Sequence, residues 1–432
     1  MTSRILPPPG APRRLAAAQL ANAVGDGAYY VCSALYFTRV VGLSPARIGI
    51  GLTLAWAVGS VAGVPLGALA DRRGPRGTSV LLALATAASV ASFLVIRSYG
   101  AFVLAVVAYA TAQCGLAAAR QALLAGLVGP GQRTGVLAHL QSVLNAGLAL
   151  GAALGGIALG AGTGPAYRAA LALDAVGFLV CAGVLLSLPA VAPVPQRSAG
   201  QPRAAVLRDR PYVLVTLLNA VLLLRMPLLS LAIPLWIAER TSAPGWLVSA
   251  LFVLNTGAVM LFQVRTAGPV TDLDRARRAL RISGRAMAAS CVVFALSALP
   301  TAGWAAAALL VAGALLQVDG EMRQSAGSWQ IGFALAPAEH IGQYQGFFGA
   351  GVPVARTLGP TVLTSLLLVW GIPGWLLLGA VLLAASYAMG PAVRWAQAGR
   401  GDARPAGAGV RAGEAGARAG QEAGPVGGPS SA

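Results

Sequence analysis

Apolar runs near or above the roughly 18 residues needed to cross a bilayer recur twelve times along this 432-residue chain. They lie near 16–38, 46–68, 78–97, 101–124, 135–160, 169–188, 211–236, 246–267, 279–299, 303–327, 342–368 and 372–394. This repetition constrains the fold more than any other feature. A backbone inside lipid has no water to bond, so a single spanning segment must satisfy its own amides as a helix. The expected class is all-α integral membrane, with twelve transmembrane helices. Polar residues interrupt the fourth, fifth, tenth and eleventh runs, whose ends are the least defined.

Charge usage supports this class. Charged residues make up 10% of the chain, against about 25% in an ordinary soluble domain. The net charge is +18 and every one of the 31 basic residues is arginine. Those arginines sit in short clusters between apolar runs, not on one basic module, so nucleic-acid binding is not expected. Without lysine there is no phosphate-binding P-loop and no Schiff-base chemistry. His139 and His340 are far apart, and Cys32, Cys114, Cys181 and Cys291 are isolated within apolar runs. No metal, no cofactor and no disulfide framework is expected. The opening "MTSRILPPPGAPRRL" lacks a short apolar stretch with a cleavage site, so the first run is expected to span.

Arginine placement orients the chain. Arg13, Arg14, Arg72, Arg73, Arg76, Arg133, Arg197, Arg203, Arg208, Arg210, Arg275, Arg277, Arg278 and Arg281 fall on one side. Mainly Arg39, Arg47, Arg97, Arg168 and Arg240 fall on the other. The positive-inside rule then puts both termini in the cytoplasm of a multi-pass cell-membrane protein. The expected organisation is a cytoplasmic segment 1–15, a six-helix bundle 16–188, a proline- and arginine-rich cytoplasmic linker 189–210, a second six-helix bundle 211–395, and a Gly/Ala-rich disordered tail 396–432.

The two halves echo each other. "ANAVGD" at 21–26 matches "LNAVLL" at 218–223, "GALAD" at 67–71 matches "GPVTD" at 268–272, and "ARQ" at 119–121 matches "MRQ" at 322–324. The order is kept and the offset stays near 200 residues, which points to duplication. Parallel repeats of this kind suit a transporter with its site between them.

The loop "GALADRRGPR" resembles the signature loop of the major facilitator superfamily, G-x-L-A-D-R-x-G-R-K. Gly67, Leu69, Ala70, Asp71, Arg72 and Gly74 match, Arg76 stands for the lysine, and Pro75 departs from the pattern. Gly268, Asp272 and Arg275 form a weaker copy in the second half. The resemblance implies two pseudo-symmetric six-helix bundles and transport by alternating access. It also implies a cytoplasmic latch in which the loop contacts span eleven. Asp71 suits that role physically, because a carboxylate accepts hydrogen bonds from free amides at a helix N-terminus.

Glycine ladders at Gly59, Gly63 and Gly67 and at Gly147, Gly151 and Gly155 allow close helix contact. In the resembled family spans two and five border the two halves, so both ladders are expected at a moving interface. "NAGLALGAALGG" is similar to the span-five signature of the family's antiporters, without its proline.

Ionisable residues at membrane depth mark pathways or pairs. Asp26, Arg120, Arg225, Asp319, Glu321 and Arg323 fall in spans one, four, seven and ten, which line the cavity in the resembled family. Asp174 in span six and Arg356 in span eleven depart from that pattern. Asp26 and Arg225 are the expected coupling pair. Asp319 and Arg323 also fit a local helix pair, and Arg120 and Arg323 fit snorkelling to the interface. Asn22, Gln113, Asn145 and Asn219 are candidate substrate contacts, or else cap backbone breaks. The reading is a secondary transporter and not an enzyme. It acts as a monomer in the lipid bilayer, takes a small-molecule substrate, and couples protons to export of a drug-like or metabolite compound. Alternatives are a proton-coupled importer and, in a different class, a non-transporting membrane receptor or enzyme.

Overall fold

Membrane-length apolar runs become helices here, and their ends are set by local chemistry. The computed structural model describes residues 7–193 and 205–401. The first six helices are α1 (Ala11–Leu35), α2 (Pro45–Arg73), α3 (Pro75–Phe93), α4 (Tyr99–Leu127), α5 (Arg133–Ala161) and α6 (Gly164–Leu186). The second six are α7 (Arg210–Arg240, interrupted), α8 (Leu247–Ala267), α9 (Leu273–Leu296), α10 (Gly303–Ala334), α11 (Ile341–Gly349 and Gly351–Thr364) and α12 (Ile372–Gly401). Among the described residues, ten helices are individually long and apolar enough to cross a membrane. The other two fall short for local reasons. Helix α1 carries Arg13, Arg14, Asn22 and Asp26, and α11 breaks at Ala350, so neither of its pieces is long enough.

Side-chain caps explain several starts. Ser44, Ser98, Thr163, Asp209 and Asp272 accept from the backbone amide three residues on, at 2.8 to 3.4 Å. The cap at Asp272 begins α9 six residues before its apolar run, and α10 runs seven residues beyond its own. Helices therefore project past the apolar zone at polar ends. Proline sets the main break. Pro227 has no amide hydrogen and its ring disfavours helix before it. Leu224 and Arg225 accordingly form a turn, followed by a π-helical turn at Leu228–Ala232. The break places Arg225 at an interruption of α7, the kind of discontinuity that lines cavities in membrane proteins.

Two hydrophobic cores hold the helices together. One gathers Leu15 through Leu188 and the other Val206 through Ala396. Among the described residues, two buried ones cross over. Phe333 of α10 joins the first core, and Ala138 of α5 joins the second. The fold is thus two six-helix bundles in a twelve-helix, all-α membrane protein. The linker arginines Arg197 and Arg203, and the tail beyond residue 401, lie outside the described residues.

Candidate functional site

A cavity of about 340 Å³ lies between the bundles. The first half contributes Asp26, Tyr30, Trp56 and Gln113, and the second contributes Asn219, Arg225, Gln324, Trp329 and Arg356. A second cavity of about 330 Å³ adjoins it and shares Asp26, Gln113, Trp329 and Arg356. Asn22 and Arg120 line the second one.

Arg225 is 6% exposed, and a charge so enclosed requires partners. Its partners come from α10. Arg225 Nη1 lies 2.8 Å from Glu321 Oε1, and Arg225 Nε and Nη2 donate to Gln324 Oε1 at 3.0 and 2.8 Å. Gln324 Nε2 donates onward to Asn219 Oδ1 at 3.1 Å and to Ser328 Oγ at 3.0 Å. Asn255 of α8 donates to Glu321 at 3.2 Å, so one network joins α7, α8 and α10. The pair expected between Asp26 and Arg225 is therefore not formed in this state. Glu321 neutralises Arg225 within the second bundle.

Helical geometry explains which acid was chosen. Residues two apart on a helix point about 200° apart, so Asp319 and Glu321 face opposite sides. Glu321, Gln324 and Ser328 share one face. Asp319 instead accepts from Arg323 Nε at 2.9 and 2.8 Å, one helical turn on; neither acid lines the central cavity, which Glu321 reaches only through Arg225. The local-pair reading of Asp319 is the one realised, and its place among the cavity candidates is withdrawn. The stripe at 321, 324 and 328 was the available signal for Gln324 and Ser328.

Asp26 is 7% exposed and accepts from Asn22 Nδ2 at 2.5 Å, one turn back on α1. The cations acting on it are Arg356 of α11 first, then Arg120 of α4. No ion pair joins either to Asp26 among the described residues. Arg120 donates to Gln19 of α1. Arg356, which departed from the cavity-span pattern, is thus the second-half cation that faces Asp26 across the cavity. Gln113 donates to Tyr109 at 3.1 Å and reaches both cavities. Asn145 donates to the Gln141 carbonyl within its own helix.

The cavity is closed on the side bearing the linker. Asp71 Oδ1 accepts from the Gly342 amide at 2.7 Å and Oδ2 from the Gln343 amide at 3.0 Å. Those amides belong to the first turn of α11, whose N–H groups have no acceptor within their own helix. Below them α2 and α11 meet backbone to backbone. A Cβ on Gly67 would lie 2.1 Å from the Gly342 carbonyl oxygen, and one on Gly346 would lie 2.3 Å from that of Gly63. Gly342 and Gly346 are the matching small residues that sequence reading missed, although their four-residue spacing was visible. Gly74 turns the chain from α2 to α3 at φ 94°, a conformation that favours glycine. Arg76 donates to the Leu188 carbonyl at 2.9 Å, within the first bundle, while Arg72 and Arg73 are exposed.

The ladders divide differently from expectation. Gly63 and Gly67 face α11, but Gly59 packs on Ala110 of α4. The span-five ladder does not border the second half at all. Gly147, Gly151 and Gly155 pack on α1, where a Cβ on Gly151 would lie 2.0 Å from the Val24 carbonyl oxygen. Three glycines at that spacing suit the flat face of α1 around Gly27, so this ladder is packing inside one bundle.

The second-half copy is also different. Asp272 accepts from the Arg275 amide of its own helix at 2.8 Å and pairs with the Arg275 side chain at 3.4 Å. Gly268 ends α8. Closure on this flank runs through Gln330 of α10, which accepts from Thr134 of α5 at 2.7 Å and donates to the Thr271 carbonyl at 3.0 Å.

Residues 15–318 match the family model of the Major Facilitator Superfamily. The chain belongs to the major facilitator superfamily. No curated protein sequence matches it. Among solved structures, the human organic anion transporter MFSD10 (TETRAN) superposes with a TM-score of 0.67 at 16% identity, covering 89% of this chain and 100% of that one. A bacterial homologue of the iron transporter ferroportin, in an outward-facing state with soaked iron, gives 0.68 at 16%, covering 90% and 99%. The transporter FucP in the outward conformation gives 0.63 at 15%, covering 88% and 97%. Likeness at this identity concerns the fold. Family and fold together make this major facilitator protein a secondary transporter, not an enzyme.

Proposed function

We propose that this transporter is a proton-coupled exporter of small organic molecules. It acts as a monomer in the cell membrane with both termini cytoplasmic. The carrying observation is that Asp26 of the first bundle and Arg356 of the second face each other across a cavity closed on the linker side. Bundles 16–188 and 211–395, joined by linker 189–210, would rock about that cavity. While Arg356 is near, it stabilises ionised Asp26. When rocking withdraws Arg356, Asp26 takes up a proton, and proton movement is tied to substrate movement. Tyr30, Trp56 and Trp329 favour a substrate with an apolar or aromatic body. Arg356, with no ion pair of its own among the described residues, favours an anionic group on it. Export rests on the resemblance of "NAGLALGAALGG" to the antiporter signature.

The test begins with a thermal-shift screen of the purified protein against compound classes. The substrate found is then followed in proteoliposomes under an imposed pH gradient. Asp26→Asn and Arg356→Gln should each abolish gradient-driven accumulation, while downhill exchange persists in Asp26→Asn. Full accumulation by Asp26→Asn removes Asp26 from coupling. Accumulation under the opposite gradient selects the importer.

A further inference from the structure

The first bundle holds a group of acceptor oxygens that lack donors. Asp174 of α6 is 0% exposed, and neither of its carboxylate oxygens has a hydrogen-bond partner. Asp26 Oδ1 and Asn22 Oδ1 are likewise buried without one. Close helix contact sets Asp174 against Gly25, the residue next to Asp26. A Cβ on Gly25 would lie 2.6 Å from Asp174 Cα and 2.6 Å from its Oδ1. One on Gly177 would lie 2.6 Å from the Ala21 carbonyl oxygen. Glycine at 25, next to Asp26, is what makes room for the Asp174 carboxyl.

The surroundings supply no neutralising charge to Asp174. Asp26 itself is the ionisable neighbour acting on it. The other ionisable groups near it are Tyr29 and Tyr30 of α1 and Tyr109 of α4. Arg356 and Arg120 act on Asp26. Helix α3 has no ionisable side chain beyond Arg76 in its first turn, and α5 has only Arg133 and His139, near its start. An ionised carboxylate this enclosed costs several kcal/mol without a partner, and two adjacent ones cannot both be charged. A carboxyl proton supplies a donor among these acceptors and removes the charge. Asp174 lines neither cavity, and a metal ion there would need an oxygen shell, whereas a proton needs none.

We propose that Asp26 and Asp174 form a proton-binding dyad. Asp174 is the inner member that stores the proton, and Asp26 is the outer member that exchanges it with the cavity. Transfer moves one proton from an Asp26 oxygen to an Asp174 oxygen and leaves Asp26 ionised opposite Arg356. The inference rests on the proton-coupled reading above and adds a second, internal carrier to it.

The test is infrared difference spectroscopy of the purified full chain, titrated with protons and compared in light and heavy water. The wild type should show a protonated carboxyl band at neutral pH that shifts on deuteration. Asp174→Asn should lose it, and Asp26→Asn should keep it. Asp174→Glu should restore a protonated band, which covers the case of a poorly folding Asp174→Asn. A wild type with no such band, or a band unchanged in a folded Asp174→Asn, overturns the dyad. Stabilisation of the wild type by sodium chloride over choline chloride, lost in Asp174→Asn, also overturns it, in favour of a cation site. If the band behaves as stated but a pH gradient drives no transport, the dyad stands and the coupling reading falls. If a pH gradient drives transport but the band does not depend on Asp174, coupling stands and the dyad falls.

Discussion

Asp71 ties one half of the molecule to the other through a single side chain. Its two oxygens hold two main-chain amides of the other half, at 2.7 and 3.0 Å. Hydrogen bonds to a charged group contribute about 1.5–3 kcal/mol each. In the proposed cycle they form only while the linker side is closed, and so would bias the equilibrium between its states. Asp71→Asn keeps the shape, removes the charge and turns one acceptor into a donor facing an amide. The closed state should lose about 1.5–3 kcal/mol by the same measure, which is a tenfold or greater shift towards opening. Cys114, a half-buried residue lining the cavity, provides the readout. In vesicles with the linker face outward, a thiol reagent should label Cys114 at least several-fold faster in Asp71→Asn. An unchanged rate would reduce the loop to a topology signal.

Between elements, the same spacing of glycines does two jobs. Gly67 meets the carbonyl of Gly342 in the other bundle, and Gly151 meets the carbonyl of Val24 in its own. Overpacking costs about 1–3 kcal/mol or more when the obstacle cannot move. Gly151→Val should therefore lower the melting temperature. Gly67→Val should leave melting nearer the wild type, because the bundles can part, and should expose Cys114 from the linker side instead. Equal effects on both readouts would mean that the two ladders play one role. This difference also marks the limit of what the sequence discloses. Hydropathy gave the spans, because lipid permits few backbones, and the loop motif gave Asp71, because helix amides are fixed donors. Which neighbour a glycine face meets depends on how helices pair in space, and periodicity carries no such information. Likewise Arg225 was legible as a buried charge, but its choice of Glu321 over Asp26 depended on the face that α10 turns inward. Arg356 and Asp174 departed from the expected cavity spans and gained meaning only beside Asp26.

At the scale of the whole molecule, the two bundles have separate cores and two unlike closures. On one flank Asp71 reaches across to α11. On the other, Asp272 caps its own helix and Gln330 bridges Thr134 to the Thr271 carbonyl. Both closures lie on the arginine-rich side, the side of Arg72, Arg73, Arg76 and Arg133 in the first half and of Arg275, Arg277 and Arg278 in the second. The positive-inside rule favours the cytoplasm for arginine flanking short loops, and in the orientation proposed above closure on this side leaves the cavity to the exterior. Orientation is therefore the premise on which the direction of every transport step depends, and it can be tested directly. Arg73 and Arg168 are both exposed, at opposite ends of the bundle. Among the native thiols Cys32, Cys181 and Cys291 are buried, so only Cys114 needs replacement by serine in a labelling background. In intact cells a membrane-impermeant thiol reagent should modify Arg168→Cys and spare Arg73→Cys until the membrane is permeabilised. The reverse pattern would place the Asp71 contact outside, make this the inward-open form, and exchange the roles of the two faces throughout the proposed cycle.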